Sequence, residues 1–350
     1  MDSNQIKTIK INGTGKISVV DYSVPELGKW DVLVKMKACG ICGSDLEKIF
    51  GSYGMSSGRL GHEPSGIIKK VGNSVRNFSP GDRVFVHHHV PCYSCHYCRH
   101  QDFTMCDMYQ KSNLDPCGLS EEFVVPYWNA SRGGLLKIPD SMTFEEASMI
   151  EPFACCLKGI NKIDFQKGDN LAIIGAGPAG LMFASLLQLF GVGNIFLLDV
   201  NNFRLDFAKN INNEISTINS RQDDFAGIIK NKTESTGVDV SIVATSNMDG
   251  LKNSFEITRK GGKVLLFGVP PKRSIFSTDI SKIYSNEQSL ITSYAASEIE
   301  TNQALKIIAN KQIDVNSLIT HRFNLEKTQQ AVDCAHQGVD SMKVIITNDQ

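Results

Sequence analysis

The chain has 350 residues, 41% of them hydrophobic and 21% charged, with a formal net charge of −1. That length suits two domains that each bury a core, and a balance so close to neutral removes the electrostatic case for nucleic acid or an anionic membrane as partner. No apolar run reaches bilayer length and the polar opening MDSNQIKTIK is unlike a signal peptide. A cytoplasmic protein is therefore expected, and its ten cysteines suggest metal in a reducing compartment more than disulfides.

Residues 1–38 alternate polar and apolar in short runs, Lys16–Val20 and Asp31–Lys37, with Pro25 and Gly28 marking a turn. This is antiparallel strand patterning. Next comes Ala38-Cys-Gly-Ile-Cys42-Gly-Ser44-Asp45. Read from its residues alone, it is either a glycine-rich turn with two buried thiols or a segment placing Cys42 on a metal, Ser44 beside it and Asp45 behind it. His62, seventeen residues after Asp45 within Gly61-His62-Glu63-Pro64, precedes alternating strands at Ile67–Val71 and Arg83–Val86. Cys42 and His62 thus lie on loops of one β-rich domain, where an ion could be shared.

Cys92-x2-Cys95-x2-Cys98-x7-Cys106 is the most specific metal pattern in the chain. Four thiolates make a closed tetrahedral zinc site with no open position, hence a structural one, and bound metal there adds folding free energy. His87, His88 and His89 just upstream are consecutive, so in a strand they cannot all face one ion. They read as structural, or at most as one lining residue. Further on, Thr143-x2-Glu146 fits a capping box, and Asp140 is another candidate helix cap.

Residues 171–199 carry the second domain's signature. A strand-length apolar run, Leu171–Ile174, leads into Gly175-Ala-Gly177-Pro178-Ala179-Gly180, then a helical apolar pattern, then Ile195–Leu198 ending at Asp199. Gly175 permits the turn, Gly177 lets the backbone approach a pyrophosphate, and Gly180 lets the helix pack close to the sheet. The helix start offers free N–H groups to the phosphates. Asp199 accepts both ribose hydroxyls and repels a 2′-phosphate, which favours NAD over NADP, with Arg204 expected along the adenosine ribose. Strands at 214–218, 238–244, 263–267 and 290–293, with helices near 201–210, 222–235 and 248–259, complete a doubly wound sheet of six parallel strands. Amphipathic helices at 299–310 and 326–337 and a strand at Lys343–Thr347 follow.

In this order, GICGSD, GHE, the four-cysteine lobe, GAGPAG with Asp199, and Phe267-Gly-Val269-Pro-Pro resemble the zinc-dependent medium-chain alcohol dehydrogenases over essentially the whole chain, and most of all their sorbitol and polyol branch. The resemblance implies an α/β chain in which a Rossmann doubly wound sheet joins a β-rich GroES-like catalytic domain. The catalytic domain would span 1–150, completed by 295–350, and the NAD-binding domain 151–294. It implies two zinc ions per chain, NAD, a small-molecule alcohol as substrate and a homo-oligomer, dimer or tetramer.

The resemblance also assigns roles. Cys42, His62 and Glu151 would hold a catalytic zinc with one position open, and Glu63 would exchange onto it. Ser44 would take the hydroxyl proton, Asp45 would orient His62, Cys155 would lie beside the nicotinamide, and Phe267 and Val269 would bind the cofactor. Where alcohol dehydrogenases carry cysteine, the polyol branch carries glutamate, so Glu151 is preferred to the nearby Cys155 and Cys156. Glu47 stands where many relatives have a histidine, which leaves the outer proton path open. The reaction implied is hydride transfer from a secondary alcohol of a polyol or sugar to NAD, giving a ketone. A threonine or simple secondary-alcohol dehydrogenase is the alternative, although Glu151-Pro-Phe-Ala-Cys-Cys lacks the Gly-Asn-Ala-Val that follows the acid in threonine dehydrogenases. A non-enzymatic zinc module or a silent scaffold ranks below both. The residues proposed for the substrate pocket, Tyr53, Arg59, Glu121 and Lys272, share no motif.

Overall fold

The computed structural model describes residues 5–51 and 58–348. They fall into two compact units, Met1–Ala154 with Ala295–Gln350, and Cys155–Tyr294.

The first unit is built on β structure because its apolar residues recur at every second position. In the central strand Val32–Gly40, Val32, Val34 and Met36 share one face and are fully buried. They pack with Ile68, Val84, Val86, Phe123, Val125, Val344 and Ile346 in one core. The sheet runs Ile319–Asn324, Lys343–Thr347, Val32–Gly40, Glu63–Val71, Arg83–Val86, Leu135–Lys137, with Glu122–Val125 also paired to the central strand. A separate antiparallel pair, Gln5–Gly13 and Lys16–Ser23, lies outside it. Two register pairs matter for function. Gly40 stands opposite Glu63 on one side and opposite Ile345 on the other, so the C-terminal strand closes over the loop that carries Cys42.

Turn chemistry explains most differences from the predicted boundaries. Asp140 caps no helix; Thr143 does, its hydroxyl accepting from Glu146 N–H while the Glu146 carboxylate accepts from Thr143 N–H. Helix Gly43–Phe50 is absent from the sequence reading, which had only the glycines to go on. It starts because the Asp45 carboxylate caps the Cys42 N–H, and it ends at Gly51 in the left-handed region.

The second unit is a six-stranded parallel sheet in the order 216–219, 195–199, 171–174, 238–243, 258–266, 289–292. Counted along the chain this is third, second, first, fourth, fifth, sixth, the doubly wound order whose crevice opens beside the first strand. Strand Leu171–Ile174 is buried at every position, as a strand covered on both faces must be. The predicted strand at 263–267 is the latter half of Thr258–Leu266, and a short helix, Ile280–Ser285, lies where none was expected. Among the described residues, no helix is long and apolar enough to cross a membrane.

Candidate functional site

The first unit brings together Cys42, His62 and Glu63, whose ligating atoms all lie within 4.8 Å of one another. Asp45 organises them. Its carboxylate accepts from Cys42 N–H at 3.2 Å and from Gly61 N–H at 3.2 Å, and its Oδ1 lies 3.4 Å from His62 Nδ1. One buried acid thereby ties the cysteine loop to the histidine loop and leaves His62 Nε2 to face the cluster. Burial opposes ionisation of Asp45, but His62 and the Gly61 N–H outweigh it and draw its pKa down to about 2.

Around this core, Ser44 Oγ lies 3.4 Å from His62 Nε2, and Glu151 Oε2 lies 4.0 Å from the same nitrogen. Glu151 is therefore next to the histidine but outside the tight trio, in which Glu63 stands instead. Glu63 is fully buried and its Oε1 has no partner among the described residues. Its other oxygen is 2.5 Å from Lys343 Nζ, itself only 3% exposed. Residue 40 must be glycine here, because a Cβ would collide with the Glu63 carboxylate and the Lys343 side chain.

The electrostatics select for positive charge. Desolvation lowers the His62 pKa, yet Asp45 and Cys42 hold it well above the ordinary value. Lys343 is likewise raised against its burial by Glu63, Cys42 and Glu151. A cysteine sulfur, an imidazole and two carboxylates, one of them carrying the orphaned buried oxygen, are a donor set that fits zinc.

The four-cysteine lobe also fits. Its Sγ atoms lie within 4.8 Å of one another, with Cys92–Cys98 at 3.9 Å and Cys95–Cys98 at 3.6 Å. A tetrahedron with Zn–S bonds of about 2.3 Å has edges of about 3.8 Å. Hydrogen bonds from Ser94 and the Cys95 N–H lower the Cys92 thiol to about 6, whereas burial pushes Cys98 up to about 12. Tyr109 packs under the cluster as the lobe's largest buried side chain.

In the second unit, Gly177 caps helix Pro178–Leu189 with proline at its first position, so the free N–H groups begin at Ala179 and Gly180. A Cβ on Gly180 would strike the Gly175 carbonyl, the close approach that its glycine was expected to allow. Asp199 accepts from the N–H groups of Ala176 at 2.7 Å, Val200 at 2.7 Å and Asn201 at 2.9 Å. Arg204 Nη1 lies 3.9 Å from the same carboxylate and beside Gly177. A hollow of about 280 Å³ at this edge is lined by Gly175, Asp199, Arg221, Asn247 and Asp249 among others. Phe267 packs edge-to-face on Phe183 at 4.8 Å, Val269 is exposed, and Cys155 is half-buried on helix Ile150–Asn161.

Tyr53 lies outside the described residues. Of the other proposed pocket residues, Arg59 borders a hollow with Lys111, Asn113 and Asp115, Lys272 is exposed, and the Glu121 carboxylate is occupied by the Lys7 N–H. Lys343 was missed by sequence reasoning, although a lysine opening the otherwise apolar run Lys-Val-Ile-Ile was a legible signal. The three histidines follow strand Arg83–Val86 and do not lie in it, and their surroundings differ. His87 is fully buried with Nδ1 2.8 Å from Glu298, while His89 Nδ1 is bonded to the Ser112 carbonyl at 2.6 Å. His88 lies beside His62, with ring centroids 5.1 Å apart and planes tilted by 49°.

Comparison with known proteins agrees with this geometry. Residues 28–140 match the alcohol dehydrogenase GroES-like domain and residues 178–310 the zinc-binding dehydrogenase domain. A sorbitol dehydrogenase of Bacillus subtilis is 32% identical over 95% of this chain and 94% of its own. An L-threonine 3-dehydrogenase of Aeromonas hydrophila is 28% identical over 95% and 96%. A zinc-binding dehydrogenase of Sinorhizobium meliloti, solved bound to NADP, superposes with a TM-score of 0.85 at 25% identity, over 98% and 99%. The chain belongs to the zinc-dependent medium-chain alcohol dehydrogenase family and is an oxidoreductase of alcohols and polyols.

Proposed function

We propose that this enzyme oxidises a secondary hydroxyl of a polyol or sugar to a ketone, with NAD as acceptor and zinc at each of its two ligand clusters. The observation that carries the reading is the Asp45 carboxylate, which orients Cys42 and His62 at once and turns His62 Nε2 toward the cluster. Cys42, His62 and Glu151 would hold the catalytic ion, with Glu63 poised to exchange onto it, and Cys92, Cys95, Cys98 and Cys106 the structural one. When bound, zinc supplies Lewis acidity that lowers the pKa of an alcohol hydroxyl, and NAD supplies the hydride acceptor.

This chain's own groups do the rest. Ser44 Oγ, 3.4 Å from His62 Nε2, would accept the hydroxyl proton as its own proton passes onward. Lys343 offsets one of the two carboxylates, so the cluster is not left with excess negative charge. In the other unit, Gly175, Gly177, Pro178, Ala179 and Gly180 cradle the pyrophosphate, Arg204 adds positive charge beside Gly177, and Asp199 receives the ribose hydroxyls. The Sinorhizobium relative carries NADP; here the buried Asp199 carboxylate argues for NAD, because a 2′-phosphate would meet a like charge. Cys155 is assigned to the nicotinamide, and Phe267 and Val269 to the cofactor.

Association into a homo-oligomer is supported by an exposed sheet edge. Strand Ser289–Thr292 is terminal in its sheet, and Ile280, Tyr284 and Leu290 are exposed at 69%, 84% and 46%. Ten free thiols suit a reducing cytoplasm. The test is NADH formation by zinc-loaded enzyme on a panel of polyols, sugars, threonine and simple secondary alcohols. The highest kcat/KM is expected on a polyol or sugar with NAD. Preference for threonine, or for NADP, would overturn the assignment.

A further inference from the structure

We propose that His88 is a specificity-determining residue that donates a hydrogen bond to a second hydroxyl of the substrate, close to the one oxidised. The enzyme would thereby select diols and polyols over simple secondary alcohols. This rests on the reading that the Cys42–His62 cluster is the reacting centre.

The three consecutive histidines have different fates. His87 is committed to Glu298, whose other oxygen accepts from the Tyr93 hydroxyl. His89 is committed to the Ser112 carbonyl. His88 has no such role in the fold. Its ring is held between His62, at 5.1 Å between centroids, and His89, at 3.8 Å. Its main chain is fixed as well, because Asn129 Nδ2 donates to the carbonyls of His88 at 2.8 Å and His87 at 3.2 Å. The result is a rigid polar ring beside a residue of the ligand cluster.

His88 Nδ1 is buried without a partner. An apolar ring would fill the same space without leaving a polar atom unpaired, so packing alone does not account for a histidine. The same orphaned atom determines the tautomer. A buried N–H with no acceptor is rarely tolerated, which puts the proton on Nε2, the ring nitrogen that is not among the buried unpaired atoms of this half-buried residue. His88 therefore presents an N–H donor next to His62. The oxygen of a neighbouring substrate hydroxyl satisfies it, and a mono-alcohol offers no such atom. Sites built to hydrogen-bond a hydroxyl discriminate far more strongly than sites that sense an extra methylene.

The test compares butane-2,3-diol with butan-2-ol, which share a carbon skeleton, on zinc-loaded wild type, His88→Phe, His88→Leu and His88→Gln. Zinc content and melting temperature are measured alongside. Both apolar variants should lower the diol-to-mono-alcohol ratio of kcat/KM by about 10- to 100-fold, mainly through KM for the diol. His88→Gln, which keeps a donor, should recover part of the ratio. An unchanged ratio in the apolar variants, with wild-type turnover intact, overturns the role of His88 and leaves the reading of the centre standing. A wild type that oxidises neither alcohol overturns the reading of the centre, and the His88 proposal with it.

Discussion

Replacing Asp45 by asparagine removes the charge that organises the candidate metal centre while keeping its shape. Asp45 receives three donors, the Cys42 and Gly61 N–H groups and His62 Nδ1. Asparagine has a single acceptor oxygen, and its amide would turn N–H toward one of them. If that oxygen keeps Gly61 and His62, the Cys42 N–H is left buried and unpaired, at about 1–3 kcal/mol. The acid's displaced pKa shows how strongly the metal-free site favours its charged form. It stands at about 2 against an ordinary 3.8, equivalent to roughly 2–3 kcal/mol in favour of the charged form. Loss of the orienting carboxylate implies catalytic zinc held about 10- to 100-fold less tightly, the range expected for a group that orients a ligating histidine. A chelator titration with metal analysis reads this directly: Asp45→Asn should release one zinc per chain at lower chelator concentration, while the four-cysteine ion is unmoved. Equal chelator midpoints, with kcat/KM within about twofold of wild type, would refute the reasoning. The pH dependence has a definite sign as well. Because the folded pKa is depressed, the stabilisation is fully present above 3.8 and is lost as pH falls through about 2, so acid titration of the stripped protein should lose it only in that window.

Cys42→Ser should abolish turnover and lose one zinc with little change in Tm, whereas Cys95→Ser should lower Tm or solubility; equal folding damage, read by thermal melts, would contradict the division of roles. Glu151→Ala should strip one zinc and turnover while Cys155→Ala and Cys156→Ala keep both ions, with metal analysis as the arbiter. Lys343→Met leaves Glu63 buried without its cation and should cost about 3–5 kcal/mol, with Glu63→Gln added in the same chain restoring part of the Tm. Asp199→Ala should narrow the NAD-to-NADP ratio of kcat/KM, and a ratio that stays put would remove Asp199 from cofactor choice.

The amino-acid order alone determined everything that depends on local pattern. Four cysteines over fifteen residues can close on one ion because short chain segments bring their own thiols together. Gly175, Gly177 and Gly180 before an apolar helix, with Asp199 at the end of the next strand, likewise form their cradle within one strand–helix–strand unit. The alternation in Val32–Gly40 announced a sheet for the same reason. Tertiary structure decided what joins residues remote in sequence. Lys343 reaches Glu63 only because the C-terminal strand pairs with the central strand beside Gly40. Nothing in Cys-Gly-Ile-Cys-Gly-Ser-Asp says that Asp45 will span two loops; that needs His62 to arrive from the neighbouring strand's start. The trio of Cys42, His62 and Glu63, with Glu151 at its side, and the different surroundings of His87, His88 and His89 were settled in the same way. A side chain's charge state and hydrogen bonds depend on what surrounds it in space, and one-dimensional order sets those surroundings only through the fold.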